Sequence, residues 1–205
     1  MILLTEIQYN PSIAYFQLAL RAESILLEQH EHYLKQSYRN RCRILTAHGP
    51  HDLTIPVKKG NRKTIITELE IDYTQHWVNV HWRSIRSAYG SAPFFTYYSD
   101  YLQQIYEGKP KYLFELNLQL LRFYFKCLNI TKPILFTDSY IPEYSGSVAD
   151  YRQKIHPKFN SAILDIKAYN QVFGKQFVSD LSIIDVLFLQ GPETVFYLQV
   201  TPAAP

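Results

Sequence analysis

The order of the first three elements constrains this chain more than any other feature. Residues 2–8, Ile-Leu-Leu-Thr-Glu-Ile-Gln, read as a short strand, and Ser24–Glu28 reads as a second, buried one. Between them Asn10 and Pro11 open a helix. Asparagine caps, and proline at the first helical position gives up an N–H that has no partner there. The helix runs to about Arg21, with Ile13, Ala14, Phe16, Leu18 and Leu20 spaced for a broad apolar side. Strands joined through a helix pair in parallel, so a βαβ unit is expected. Ligands of such folds gather at the carboxyl ends of the strands, which here means the region from Glu28 onward.

The rest of the chain reads as follows. The segment from Gln29 to Tyr38 is a polar, aromatic loop. Arg41–Ala47 and Asp52–Val57 form two strands of a hairpin, turned at His48-Gly49-Pro50. Ile65–Asp72 is a third β-like run. Three helices follow: Gln75–Tyr89, Phe94–Tyr106 and Tyr112–Leu128. The first carries Trp77, His81, Ile85 and Ala88 on one face, with Gly90 as a left-handed cap. The third has Leu113, Leu116, Leu120, Phe123 and Cys127 as its stripe. Pro133–Thr137 is a short strand. Asp138–Asn160 carries Pro142, Gly146 and Pro157, and is expected as a long loop, either a lid or a disordered excursion. A helix from Asp180 to Gln190 stops at Gly191-Pro192, and Thr194–Val200 alternates like a last strand. The Pro/Ala tail 201–205 is expected to fray. The fold class is α/β: a mostly parallel sheet opened by a strand–helix–strand unit, with a β-hairpin and a helical second half packed on the sheet. With 205 residues, residues 1–200 fit one domain.

Several function classes are excluded. No apolar run approaches the roughly 18–20 residues of a membrane helix. Met1–Leu4 shows no basic region of a secretory signal, so a cytoplasmic location is expected, with no membrane insertion. Cys42 and Cys127 lie far apart and outside any CxxC spacing, which reads as two reduced thiols and supplies no zinc site. P-loop, GxGxxG, GxSxG and HExxH motifs are missing. No cofactor or metal is assigned, and neither is an oligomeric state.

Charge is distributed unevenly. Lys35, Arg39, Arg41, Arg43, Lys58, Lys59, Arg62 and Lys63 fall in one stretch where Asp52 is the only acid, giving that stretch +7 in a chain of net +3. Such a segment addresses something anionic, or else is a solvated basic face. In extended chain Arg39, Arg41 and Arg43 point to one side, and Asn40 and Cys42 to the other. Guanidinium forks match a diphosphate or carboxylate, and Asn40 offers a directional hydrogen bond to a sugar or base. The hairpin brings Lys58 and Lys59 toward the arginines. The alternative is an edge strand protected by charge. After the second strand, His30 with Glu28 forms a candidate acid/base pair. His30 and His32 also flank Glu31, but two histidines are too few for a metal site, and a plain surface loop accounts for them as well. His81 reads as a half-buried structural histidine. Asp180, Ser182 and Asp185 read as helix capping.

These residues fall into a recognisable series of blocks. They are Ile13-Ala-Tyr-Phe16, then Tyr33-Leu-Lys-Gln-Ser-Tyr-Arg-Asn-Arg-Cys-Arg-Ile44, then Leu53-Thr-Ile-Pro-Val-Lys-Lys59. Trp77, His81, Ile85, Tyr89 and Ala92-Pro-Phe-Phe95 follow, and Asn170-Gln-Val-Phe-Gly174 with Asp180–Phe188 and Gly191-Pro-Glu193 close the series. In these blocks and their order, the chain resembles the WbqC-like family over nearly its whole length. The resemblance implies a setting in O-antigen and other polysaccharide biosynthesis, with glycine or acyl transfer on to a sugar. It raises the standing of Tyr33, Lys35, Asn40, Arg41 and Lys58, and slightly that of Ser182 and Asp185. The chain departs from the family where many members carry an aspartate pair after the second strand. Here those positions are Gln29 and His30.

Two functions compete. The first is an acyl or aminoacyl transferase acting on a nucleotide-linked sugar. In it Arg41 and Arg43 hold phosphate, Tyr33, Lys35, Asn40, Lys58 and Lys59 line the substrate, and His30, Glu28 or Asp185 handles protons. The second is a non-enzymatic polyanion or nucleic-acid binder, or a scaffold in polysaccharide assembly. The modest overall charge argues against nucleic acid, so an anionic small molecule is the expected partner.

Overall fold

The computed structural model describes residues 1–58, 63–158 and 166–199. Strand β1 (Ile2–Thr5) pairs in parallel with β2 (Ser24–Leu27), Ile2 opposite Ser24 and Thr5 opposite Leu27. Strand β5 (Ile134–Phe136) extends the sheet beyond β2, and β6 (Val148–Asp150) pairs with the free side of β1. All three pairings are parallel and the order is β5-β2-β1-β6. The chain thus builds outward from β1 in one direction and then returns to its other side. That reversal lies between β1 and β6, and in open α/β sheets the crevice beyond the strand ends at such a reversal is where ligands bind.

Helix α1 (Ile13–Arg21) joins β1 to β2, as the sequence predicts, but starts later. Ser12 is the N-cap, its hydroxyl accepting from the Tyr15 N–H at 3.3 Å. Asn10 cannot cap because its side chain is engaged elsewhere. Its amide donates to the Tyr106 hydroxyl at 2.8 Å, and the Tyr124 hydroxyl donates to its carbonyl at 2.6 Å. These contacts hold Asn10 in the left-handed region, at φ 39°. Residues Ile13 through Ala19 are all buried, so α1 is a core helix and not a surface one.

Strands β3 (Arg41–Thr46) and β4 (Gly49–Thr54) form the expected antiparallel hairpin, with the turn at Ala47 and His48 and Gly49 at φ 100°. It packs on α2 (Trp77–Tyr89) through the Leu45 N–H, which donates to the Tyr89 hydroxyl at 3.0 Å. Trp77, His81, Ile85 and Ala88 face the core together, as their spacing requires. Gly90 caps in right-handed conformation, at φ −59°, and not in the left-handed one its type favours. Helices α3 (Phe95–Glu107) and α4 (Leu113–Cys127) follow. On α4 the buried stripe is Leu113, Leu116, Leu120 and Tyr124, while Phe123 and Cys127 are half-buried at its edge.

Three expectations are corrected. Ile65–Asp72 forms a single 3-10 turn (Ile66–Glu68) and isolated bridges, because its partners are scattered: Ile65 meets His32, Glu70 meets Tyr112 and Ile71 meets Val57. The stretch 138–158 is not one uninterrupted loop, since β6 lies inside it; residues 159 and 160 fall outside the described part. The alternation over residues 194–199 does not make a strand; Val200 and the tail 201–205 fall outside the described residues. Past α5 (Ile183–Gln190) the chain turns at Gly191, at φ 52°, into α6 (Thr194–Leu198), whose Thr194 and Leu198, one helical turn apart, are buried.

Candidate functional site at the strand ends

A polar side chain follows each strand of the sheet within two residues, and these side chains bond across the strand ends. After β1 comes Glu6, 1% exposed. Its Oε2 accepts the backbone N–H of Gln153 at 2.8 Å, which ties the β1 end to the segment after β6. After β2 comes Glu28, fully buried. Its Oε1 accepts from the His30 N–H and the Thr137 hydroxyl, both at 2.9 Å, and Thr137 is the residue after β5. Its Oε2 meets the Arg152 guanidinium at 3.0 Å. After β6 comes Arg152 itself, held also by Asp150 at 2.5 Å and donating to the Pro142 carbonyl at 3.0 Å. The rings of Tyr140 and Tyr144 lie 5.0 and 5.4 Å from its central carbon, within cation–π range.

A second guanidinium completes the cluster. Arg39, 1% exposed, binds Glu31 through two parallel bonds, Nε to Oε1 at 2.7 Å and NH2 to Oε2 at 2.5 Å. Glu6 stands 3.9 Å from the same NH2. Glu6, Glu28, Glu31 and Asp150 therefore face Arg39 and Arg152. With every group ionised, acids outnumber cations. Burial pushes the Glu31 carboxyl up to about 7, against the pull of Arg39, and the neighbouring charges of Glu6 and Glu28 push the same way. Such a proton belongs to the cluster as much as to one residue. His156 is pushed down by its burial and by the charges of Lys158 and Arg39.

The sequence-predicted residues are distributed over several places. Glu28 and His30 do meet at the β2 end, but through the His30 backbone. The imidazole Nε2 lies 3.0 Å from the Thr137 carbonyl and so donates to it. Arg41 and Arg43 stand on one face of the hairpin, with Asn40 and Cys42 buried on the other, as alternation requires. Arg39 does not join them, because the chain before Arg41 is a turn and not a strand. Nor are these cations unopposed. Arg43 binds Asp52 at 2.9 Å and Asp180 at 3.0 Å, Arg41 lies 3.4 Å from Asp52, and Lys58 binds Glu70 at 3.1 Å. Acids remote in sequence balance the basic segment in space. Tyr33 is buried, with its hydroxyl pushed up by desolvation. Asn40 donates to the Ile55 carbonyl at 2.8 Å, and Lys35 is exposed. Lys59 lies outside the described residues. Asp185 lies in the first turn of α5 and points into the core, accepting from Tyr89 at 2.9 Å, Tyr169 at 2.7 Å and Gln171 at 3.1 Å, and burial raises its carboxyl. Ser182 caps α5, its hydroxyl accepting from the Ile184 N–H and donating to the Asn10 carbonyl.

Sequence reasoning missed Glu6, Glu31, Asp150 and Arg152. Glu31 carried a signal, since it follows a readable apolar strand by a few residues; Asp150 and Arg152 had none, because β6 lies in a stretch that reads as loop. Among the described residues no group of three or more His, Cys, Asp or Glu side chains is placed to hold a metal ion. No described helix is long and apolar enough to cross a membrane.

The sequence model of the WbqC-like protein family matches residues 7–158. The chain belongs to this family. The matched span holds Glu28, Glu31, Arg39, Asp150 and Arg152, whereas Asp180 and Asp185 lie beyond it. An uncharacterised protein of Mycobacterium tuberculosis is 36% identical over 115 residues, which are 55% of this chain and 49% of that protein. The chain thus spans about half the length of this curated relative. No solved structure matches the chain.

Proposed function

We propose that the polar cluster at the strand ends belongs to a transferase that moves an acyl or aminoacyl group on to the amine or hydroxyl of a nucleotide-linked sugar, in surface polysaccharide biosynthesis such as that of O-antigen. The observation that carries the reading is the convergence of Glu6, Glu28 and Glu31 on Arg39 and Arg152 at the strand ends, where burial pushes the Glu31 carboxyl up. A general base works best when its pKa lies near the working pH. In the step, the sugar nitrogen or oxygen forms a bond to the acyl carbon while its proton passes to the ionised Glu31 carboxylate. The donor's leaving group departs with the bonding electrons and takes that proton, which restores Glu31. Arg39, held by both carboxylate oxygens, orients Glu31 throughout.

Recognition of a sugar fits the same place. Carboxylates accept from hydroxyls, and the half-exposed ring of Tyr140 offers a flat face for the apolar side of a pyranose. His32 and Lys35, exposed on the loop behind Glu31, supply donors for the diphosphate. A polyanion groove is less well supported, because Arg39, Arg43 and Lys58 already hold acids.

Calorimetric titration with uridine diphosphate sugars tests the reading. The expected result is saturable heat for at least one of them, weakened about tenfold in Lys35→Ala. Absence of heat for every nucleotide-sugar, with the protein shown to be folded, overturns it.

A further inference from the structure

A cavity lies away from the strand ends, between the tip of the hairpin and α2. It measures about 450 Å³, within the usual range for small-molecule sites. Its polar lining comes from two elements. His48 stands on the hairpin turn and His51 on β4, and Arg83 and Ser87 stand one turn apart on α2. Phe173, from the loop ahead of α5, supplies an aromatic wall, and Ala47 and Ala88 add apolar surface. No acidic side chain is among the described lining residues. This sets the cavity apart from the arginines on the hairpin, which hold Asp52 and Asp180.

The donor chemistry is specific. A guanidinium presents a planar fork to two oxygens of a phosphate. Each imidazole offers an N–H in either tautomer. Two further hydroxyls at the rim are already committed: Thr46 donates to the Gly49 carbonyl at 2.9 Å, and Ser84 to the Val80 carbonyl at 2.9 Å. The phosphate donors are therefore Arg83, His48, His51 and Ser87, with Phe173 beside them for a ring.

We propose that this cavity binds a phosphomonoester carried on a ring, either a sugar phosphate or a nucleoside monophosphate. The phosphate sits on Arg83, His48 and His51, and the ring lies against Phe173. The proposal does not rest on the strand-end reading, and none of its residues belongs to that cluster.

The test follows the imidazole signals of His48 and His51 by NMR while glucose 1-phosphate, adenosine monophosphate or inorganic phosphate is titrated into the full chain. At least one ester is expected to shift both histidines saturably. Arg83→Ala should weaken that ester at least tenfold, consistent with loss of charge-assisted hydrogen bonds. Arg86→Ala, exposed on the same helix but outside the cavity, should leave it unchanged. Phe173→Ala should weaken the ester and leave inorganic phosphate as it was. Whichever ester binds more tightly tells sugar from nucleoside. The proposal is overturned if neither ester shifts the two histidines, if Arg86→Ala weakens binding as much as Arg83→Ala, or if the esters bind no tighter than inorganic phosphate.

Discussion

Arg39 and Glu31 meet through two parallel hydrogen bonds, 2.7 and 2.5 Å long, with both side chains almost wholly out of water. A guanidinium in such a place cannot be removed quietly. Its loss leaves Glu31 and Glu6 buried without a cation, and breaking a buried pair in this way costs about 3–5 kcal/mol. Arg39→Met should lower unfolding stability by that amount in urea. Arg39→Lys should recover only part of it, since a lysine lacks the planar fork. A loss under about 1 kcal/mol in Arg39→Met would show that the pair is not buried as described.

Glu31 and His81 give stability opposite dependences on pH. The Glu31 carboxyl is raised to about 7, so between its unfolded value near 4.3 and about 7 the folded state binds more protons than the unfolded one. Its contribution is full below that window and is lost as pH rises through it. The stability of the wild type minus that of Glu31→Gln should therefore fall from about pH 4.5 to 7. A value that rises over that range contradicts the raised carboxyl.

Burial lowers the His81 imidazole to about 4, and its neutral form is built into a relay. Tyr9 donates to its Nδ1 at 2.8 Å, Tyr106 then donates to Tyr9 at 2.9 Å, and Asn10 donates to Tyr106. Protonation at Nδ1 would require the Tyr9 hydroxyl to turn round. This contribution is present above about 6.5 and is lost as pH falls through 4, up to about 3 kcal/mol. NMR should find His81 neutral at pH 6. A His81 that titrates like a free histidine contradicts the relay.

Asp185 is a structural acceptor for two tyrosine hydroxyls and the Gln171 amide. Asp185→Ala leaves those donors buried and unpaired, at about 1–3 kcal/mol each. A loss of about 3–5 kcal/mol is expected in thermal or urea unfolding, and Asp185→Asn should lose less. Nucleotide-sugar affinity of the folded Asp185→Asn protein should match the wild type. A selective loss of that affinity, with stability unchanged, would move Asp185 into the site.

The elements legible in the sequence are those whose signals are local. The βαβ opening, the hairpin and helices α2 to α4 each carry their own period or turn chemistry. Strand β6 is three residues long, and only its pairing with β1, far away in sequence, makes it a strand. Residues 194–198 alternate like a strand but form a helix, whose Thr194 and Leu198, one turn apart, are buried where it packs on α1 and α5. The site was half legible for the same reason. Glu28 and His30 follow a recognisable strand. Glu6, Asp150 and Arg152 acquire meaning only when the strand order brings their ends together. The basic segment looked unopposed because Glu6, Glu31, Glu70 and Asp180 lie outside it or far along the chain.

The most direct measurement is a backbone amide NMR titration of the full chain with a uridine diphosphate sugar. The N–H groups of His30 and Gln153 report the carboxylates of Glu28, at the end of β2, and Glu6, which bridges the reversal from β1 to the segment after β6. The account predicts that both move together and saturate with the ligand, along with their neighbours 28–31 and 150–153. Saturable binding that leaves both amides unmoved would contradict it.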